Sequence, residues 1–236
     1  MDETARLGLP LLQPAQAQKH VTMNEALLLL DGMVQLVLLG VNVDTPPGLP
    51  AEGDCYGVGA APVSAWSGQA GMIALFVSGG WVFVTPKTGF RAWVATDDAQ
   101  ALFDGSTWVS GAVTLSPNGA GMIFEVIEFD HVLSVGATSE EALVIPANSV
   151  VYGVTGRVTS VVSGALTSFR IGVTGSDNRY GSGIGLAANS WLRGLTGTPL
   201  TYYSNTGLLF TGEGGDFAAG TVRIALHLAR FSLPAL

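Results

Sequence analysis

Val222, Ile224, Leu226 and Leu228 alternate with Arg223, Ala225, His227 and Ala229. A period of two sends successive side chains to opposite faces of a strand and does not form the face of a helix. Phe169, Ile171 and Val173 repeat the alternation around Arg170 and Gly172. Ser149 to Val162 is rich in Val and Thr, which suit a pleated surface, and Gly153 and Gly156 supply bend or bulge points. Gly-rich clusters separate these runs, among them Gly175-Ser176-Asp177-Asn178 and Gly212-Glu213-Gly214-Gly215-Asp216. Short strands with such turns across residues 122–236 imply a β-sandwich or jelly roll. The chain is therefore expected to be mainly β.

Upstream the strands are shorter. Tyr56 to Val58, Met72 to Val77, Trp81 to Thr85 and Phe90 to Ala95 read as strands, with Gly79-Gly80 as a hairpin turn. Trp66, Trp81, Trp93 and Trp108 lie in this part and are expected to form its small core. Residues 46–115 are thus a small antiparallel β module. Ser110 to Gly121, with Ser116-Pro117-Asn118-Gly119, reads as a linker to the sandwich.

Residues 1–45 differ. Pro10 and Pro14 make the first 21 residues an extended arm. Thr22-Met23-Asn24-Glu25 fits a capping box, with Val21 placed as a hydrophobic staple. The spacing predicts a helix from there to about Leu39, with Gly40 just past its end. Met23, Leu27, Leu30, Val34, Val37 and Val41 follow the 4, 3, 4, 3, 4 rhythm of a helical bundle. Leu28, Leu36 and Leu38 add apolar surface elsewhere on the helix, which suits more than one partner. Self-association through this helix is expected.

Charge and hydropathy exclude several classes. The net charge is -8, and the ten Lys and Arg form no run. Nucleic acid needs a basic stripe to displace counterions and is not an expected partner. Mean hydropathy is high at +0.43. The most apolar window, Ala26 to Val43, carries Asp31, Gln35, Asn42 and two Gly. It falls short of the roughly 20 apolar residues of a membrane span. No membrane insertion is expected, and the surplus apolar surface is assigned to subunit contacts. Met1-Asp2-Glu3 is acidic where a signal peptide is basic. One Cys excludes an intrachain disulfide and a Cys-rich zinc site.

Catalytic motifs are absent. There is no G-x-S-x-G, Walker loop or H-E-x-x-H, and Gly181 to Gly185 lacks a βαβ context and reads as a turn. His20, His131 and His227 lie far apart, and Cys55 has no neighbouring His. Glu128 and Asp130 would share one face of a strand at roughly 7 Å, a spacing open to a glycosidase pair. A solvated face opposite Ile127 and Phe129 is the preferred reading of the two. Asp177, Asn178, Glu213 and Asp216 offer oxygen ligands for Ca²⁺ in Gly-rich turns, without an EF-hand pattern. The expectation is no enzyme, no metal and no cofactor. Tyr180, Trp191, Tyr202 and Tyr203 are candidates for stacking on sugar faces. Arg179 and Arg193 would hydrogen-bond hydroxyls or acidic sugars. Core packing or subunit contact is the alternative for all of them.

Two stretches carry a family resemblance. One is Leu7 to Ala26, containing Gln18-Lys19-His20-Val21-Thr22-Met23-Asn24-Glu25-Ala26. The other is Gly79 to Val94, followed by Phe103-Asp104-Gly105-Ser106-Thr107-Trp108. Over residues 5–110 they resemble a domain of unknown function from α-proteobacterial prophages and gene transfer agents, in proteins that look like tail fibres or spikes. The resemblance implies a homotrimer of a virion or phage-like particle, made in the bacterial cytoplasm and released by lysis. It implies an arm that docks on other particle proteins and a distal domain that binds host-surface polysaccharide for adsorption. A structural connector without a receptor role, or a capsule-degrading hydrolase using Glu128 and Asp130, are the alternatives.

Overall fold

Residues 3–12 and 19–234 are described by a computed structural model in which strands dominate. The chain divides into two units, 1–119 and 120–236. The arm residues Gln13 to Gln18 lie outside the described residues.

In the first unit, helix α1 spans Lys19–Met33 and stops earlier than the heptad rhythm predicts. Gln35 takes a left-handed φ of 52°, and Val37–Leu38 becomes strand β1. Val34, Val37 and Val41 therefore lie past the helix, and its stripe ends at Leu30. The β-branched residues that looked like heptad positions are poor helix formers and pair well in a sheet. Thr22 lies within α1 and not at its cap, and Val21 loses the staple role with it.

The arm is also corrected by the structure. Residues 3–12 double back, with Glu3 bridging Pro10, and Thr4 is buried. Buried Asp31 of α1 accepts hydrogen bonds from the Thr4 hydroxyl (2.7 Å) and the Arg6 (2.9 Å) and Leu7 (2.6 Å) amides. The Arg6 guanidinium donates to the Gly32 and Gln35 carbonyls, both at 3.0 Å, and so caps the open end of the helix. Asn24 holds Leu12 by a pair of bonds to its amide and carbonyl.

Strand β2 is Cys55–Gly57, β3 Ile73–Val77 and β4 Gly80–Val84, and they form one antiparallel sheet. Ser78 and Gly79, with φ of 53° and 73°, make the tight β3–β4 turn, one residue earlier than the expected Gly79-Gly80, because Gly80 pairs with Val77 as the first residue of β4. Strands β5 (Arg91–Val94), β6 (Ala99–Phe103) and β7 (Trp108–Ser110) form a second sheet, with β1 parallel to β5 at its edge. Leu36, Leu38, Cys55, Ile73 and Leu75 share a core with Met33 of the helix. Helix and module are one packed unit, so residues 1–45 are not a domain apart. Trp66 is fully buried against Tyr56 and Trp81, whereas Trp93 is exposed and outside the expected core. Strand β8, Ala112–Leu115, occupies part of the expected linker.

The second unit holds strands β9 (Gly121–Val132), β10 (Thr138–Ile145), β11 (Ser149–Gly164) and β12 (Ser168–Val173). Then follow β13 (Ser176–Ile184), β14 (Trp191–Tyr202), β15 (Thr206–Glu213) and β16 (Phe217–Phe231). Gly181 to Ile184, expected in a turn, belongs to β13. All pairings are antiparallel, and each strand meets its mirror image in the chain: β9 with β16, β10 with β15, β11 with β14, β12 with β13. A long hairpin wound in this way gives sheets ordered β9-β16-β11-β14 and β10-β15-β12-β13, which is the jelly-roll order. Val222, Ile224, Leu226 and Leu228 point into the core with Val154, Phe169, Ile171 and Phe210, as their alternation predicts.

Candidate ligand-binding site

With one face of β16 committed to the core, the other face turns outward. Register then aligns residues that are far apart in sequence. Trp191 of β14 pairs with Arg157 of β11, Arg157 with Arg223 of β16, and Arg223 with Asp130 of β9. Two positions along, Arg193, Thr155, Ala225 and Glu128 form a parallel row. Directly opposed side chains lie about 5 Å apart across a sheet. All of these residues except Asp130 line a depression of about 650 Å³, within the size range of ligand sites.

Trp191 is 66% exposed at one edge of this depression. The Arg193 guanidinium carbon lies 5.8 Å from its ring centroid, a cation–π contact that supports the indole from one side. Arg223 donates from Nε to Asp130 Oδ1 at 2.7 Å and from its terminal nitrogen to Oδ2 at 2.8 Å. The Arg223 hydrogen bonds, helped by its charge, hold the Asp130 carboxyl below its ordinary pKa, and the same pair, with Glu128, raises that of Arg223. Arg157 and Arg193 form no ion pair among the described residues. Thr155 Oγ1 is 2.9 Å from His227 Nε2, which fixes its hydroxyl on the floor.

Of the expected glycan residues, the structure brings Trp191 and Arg193 together. Tyr180 and Tyr202 are corrected: they are 2% and 7% exposed, and their hydroxyls bond each other at 2.7 Å inside the sandwich. Burial first, and then the Tyr202 bond, push the Tyr180 phenol well above its ordinary pKa. Neither ring can stack on a sugar. Tyr203 and Arg179 are exposed but do not line the depression. Arg157 and Arg223 are functional candidates that sequence reading missed. The alternation marks Arg223 as outward, but no sequence signal sets the register that brings it to Arg157.

The carboxylates sort differently from expectation. Asp130 is committed to Arg223, while Glu128 lines the depression. Asp177 and Glu213 converge on Arg170, at 2.7 and 3.8 Å. Among the described residues no three His, Cys, Asp or Glu side chains gather as metal ligands. No helix among them is long and apolar enough to cross a membrane.

A second polar cluster was not legible in sequence. His131 Nδ1 is 2.8 Å from Glu141 Oε2 and its Nε2 is 2.8 Å from Ser139 Oγ. The order serine, histidine, carboxylate is that of a nucleophilic triad. Ser139, however, is 3% exposed, and its oxygen is already met by the Ser134 amide and hydroxyl, both at 2.9 Å. Its hydroxyl is enclosed, with its hydrogen-bonding capacity taken up by these neighbours. The cluster instead satisfies buried polar atoms where β9 turns into β10, with the imidazole stacked on Phe210.

Residues 23–109 match the family described as "Protein of unknown function (DUF2793)". The matched segment lies in the first unit, and the depression lies in the second. No curated protein matches the chain. Among solved structures, the cyanophage Pam1 capsid asymmetric unit is similar over 50% of this chain and 92% of that chain, at 20% identity and a TM-score of 0.39.

Proposed function

We propose that this chain is a non-enzymatic fibre or spike protein of a phage-like particle, a homotrimer that binds host-surface polysaccharide for adsorption. The observation that carries the binding role is Trp191, an exposed indole over a depression of ligand size in the second unit. Sugar rings present apolar C–H faces and hydroxyl rims. An indole beside guanidinium, hydroxyl and carboxylate groups answers both. The phage assignment rests on the resemblance of residues 5–110. Support for the trimer comes from α1: Met23 and Leu30 of its stripe are 50% and 49% exposed and Leu27 is half-buried, so apolar surface on the helix is left uncovered by the chain's own core. Threefold repetition would raise a weak single-site affinity through avidity. The non-catalytic reading is supported by the burial of Ser139 and the pairing of Asp130.

The test is retention of the purified full chain on immobilised host capsular polysaccharide. Retention is expected, with Trp191→Ala weakening it by about ten-fold, the scale of one lost stacking contact. Polysaccharide length should stay unchanged after incubation. Absence of retention would leave the connector role, and shortened polysaccharide would make the chain a hydrolase.

A further inference from the structure

Three guanidinium groups share one depression in a chain that has only ten Lys and Arg and a net charge of -8. Arg157 and Arg223 stand directly opposite each other on neighbouring strands. Like charges in that position repel and destabilise a sheet. The structure relieves half of the repulsion, because Asp130 neutralises Arg223 from the far side. Arg157 and Arg193 form no ion pair with a carboxylate among the described residues. A fold that needed only solubility on this face would be more stable with one of them replaced.

We infer that the depression selects a sugar bearing a carboxylate, a hexuronate-type residue, held between Arg157 and Arg193 while its ring lies against Trp191. The inference rests on the glycan-binding reading and names the ligand class of that same site. Arg157 and Arg193 flank Trp191, one across the strand and one two residues along it. A carboxylate on a ring stacked there lies within reach of both. Guanidinium forks meet planar carboxylates through paired N–H donors, which gives orientation as well as charge. At the β9 end the wall is Glu128, which accepts hydrogen bonds from hydroxyls and repels a second acid group. The depression is thus polarised, with acid-binding groups at the β14–β11 end and a hydroxyl-binding group at the β9 end. Arg223 is neutralised by Asp130, which takes two of its five N–H donors, so the charge that receives an acid group comes from Arg157 and Arg193.

The experiment is a titration of the full chain with oligogalacturonate, its carboxyl-reduced neutral counterpart, and single-stranded DNA, followed by calorimetry at fixed low salt. The acidic oligosaccharide is expected to bind about ten-fold or more tightly than the neutral one, as for a charge-assisted bond. Arg157→Gln should weaken the acidic sugar more than the neutral one and so reduce that preference, whereas Trp191→Ala should weaken both sugars alike. Equal binding of the acidic and neutral sugars would overturn the carboxylate assignment and leave the glycan reading standing. Binding of neither sugar would overturn both. Tighter binding of DNA than of oligogalacturonate would make the arginines a phosphate track and also overturn it. Because Arg157 is an exposed surface side chain, its variant is expected to fold.

Discussion

Asp31 ties the N-terminal residues to the helix. Burial alone would push its carboxyl pKa up. The Thr4 hydroxyl, the Leu7 and Arg6 amides and the Arg6 charge outweigh burial and hold it below the ordinary value. A carboxylate depressed in the folded state stabilises above its unfolded pKa, near 4, and the contribution is lost as pH falls through the folded value. The arm should therefore detach in acid. Asp31→Asn is expected to cost about 1–3 kcal/mol at neutral pH, the range for a buried hydrogen-bonded charge. The readout is thermal unfolding of the full chain at several pH values, and the variant should lose the decline below pH ~4 that the native chain shows. A native stability curve flat through that range would remove Asp31 from this role. Gly32, the next residue, shows why the helix lies so close to its sheet. A Cβ there would stand 2.6 Å from a methyl of fully buried Leu75.

At the scale of elements, α1 and β16 differ in how far sequence alone could read them. Alternation in β16 depends only on its own residues, and its apolar set is buried as expected. The end of α1 depends on a strand pairing with Trp93 and Val94, more than fifty residues on. A heptad rhythm cannot report that competition, so it runs on through Val37 and Val41. The site divides for the same reason. Trp191 and Arg193 are legible by residue type alone, an aromatic for stacking and a guanidinium for hydrogen bonding, and β14 sets them two apart. Arg157 and Arg223 needed the β11–β16 register, a long-range property. Tyr180 and Tyr202 show the converse: the same residue types serve as stacking surfaces or as core, and only burial distinguishes them. The stripe that survives on α1 makes its own prediction. Leu30→Glu alters an exposed side chain and should leave the fold intact while reducing the solution mass from about three times 24.3 kDa to 24.3 kDa by light scattering. An unchanged trimer would move the contacts to other surfaces, such as the outer face of β9 with exposed Phe124 and Val126.

At the scale of the whole molecule, the two units carry separate cores and different chemistry. The helix, the family match and the chain's one cysteine belong to the first, and the Arg-lined depression belongs to the second. Cys55 is 1% exposed, beside Gly32 and the Arg6 side chain, and burial pushes its thiol up to about 11. A thiol held neutral and out of solvent reacts only during openings of the structure around it. Thiol-reagent labelling of the full chain should be slow in the native protein and faster after Asp31→Asn. Labelling at the rate of a free cysteine in the native chain would mean that the first unit stands open. With no cysteine in the second unit, the signal comes from one place alone. The protein thus carries its own stopwatch: the time its single sulfur takes to react measures how often the N-terminal latch lets go.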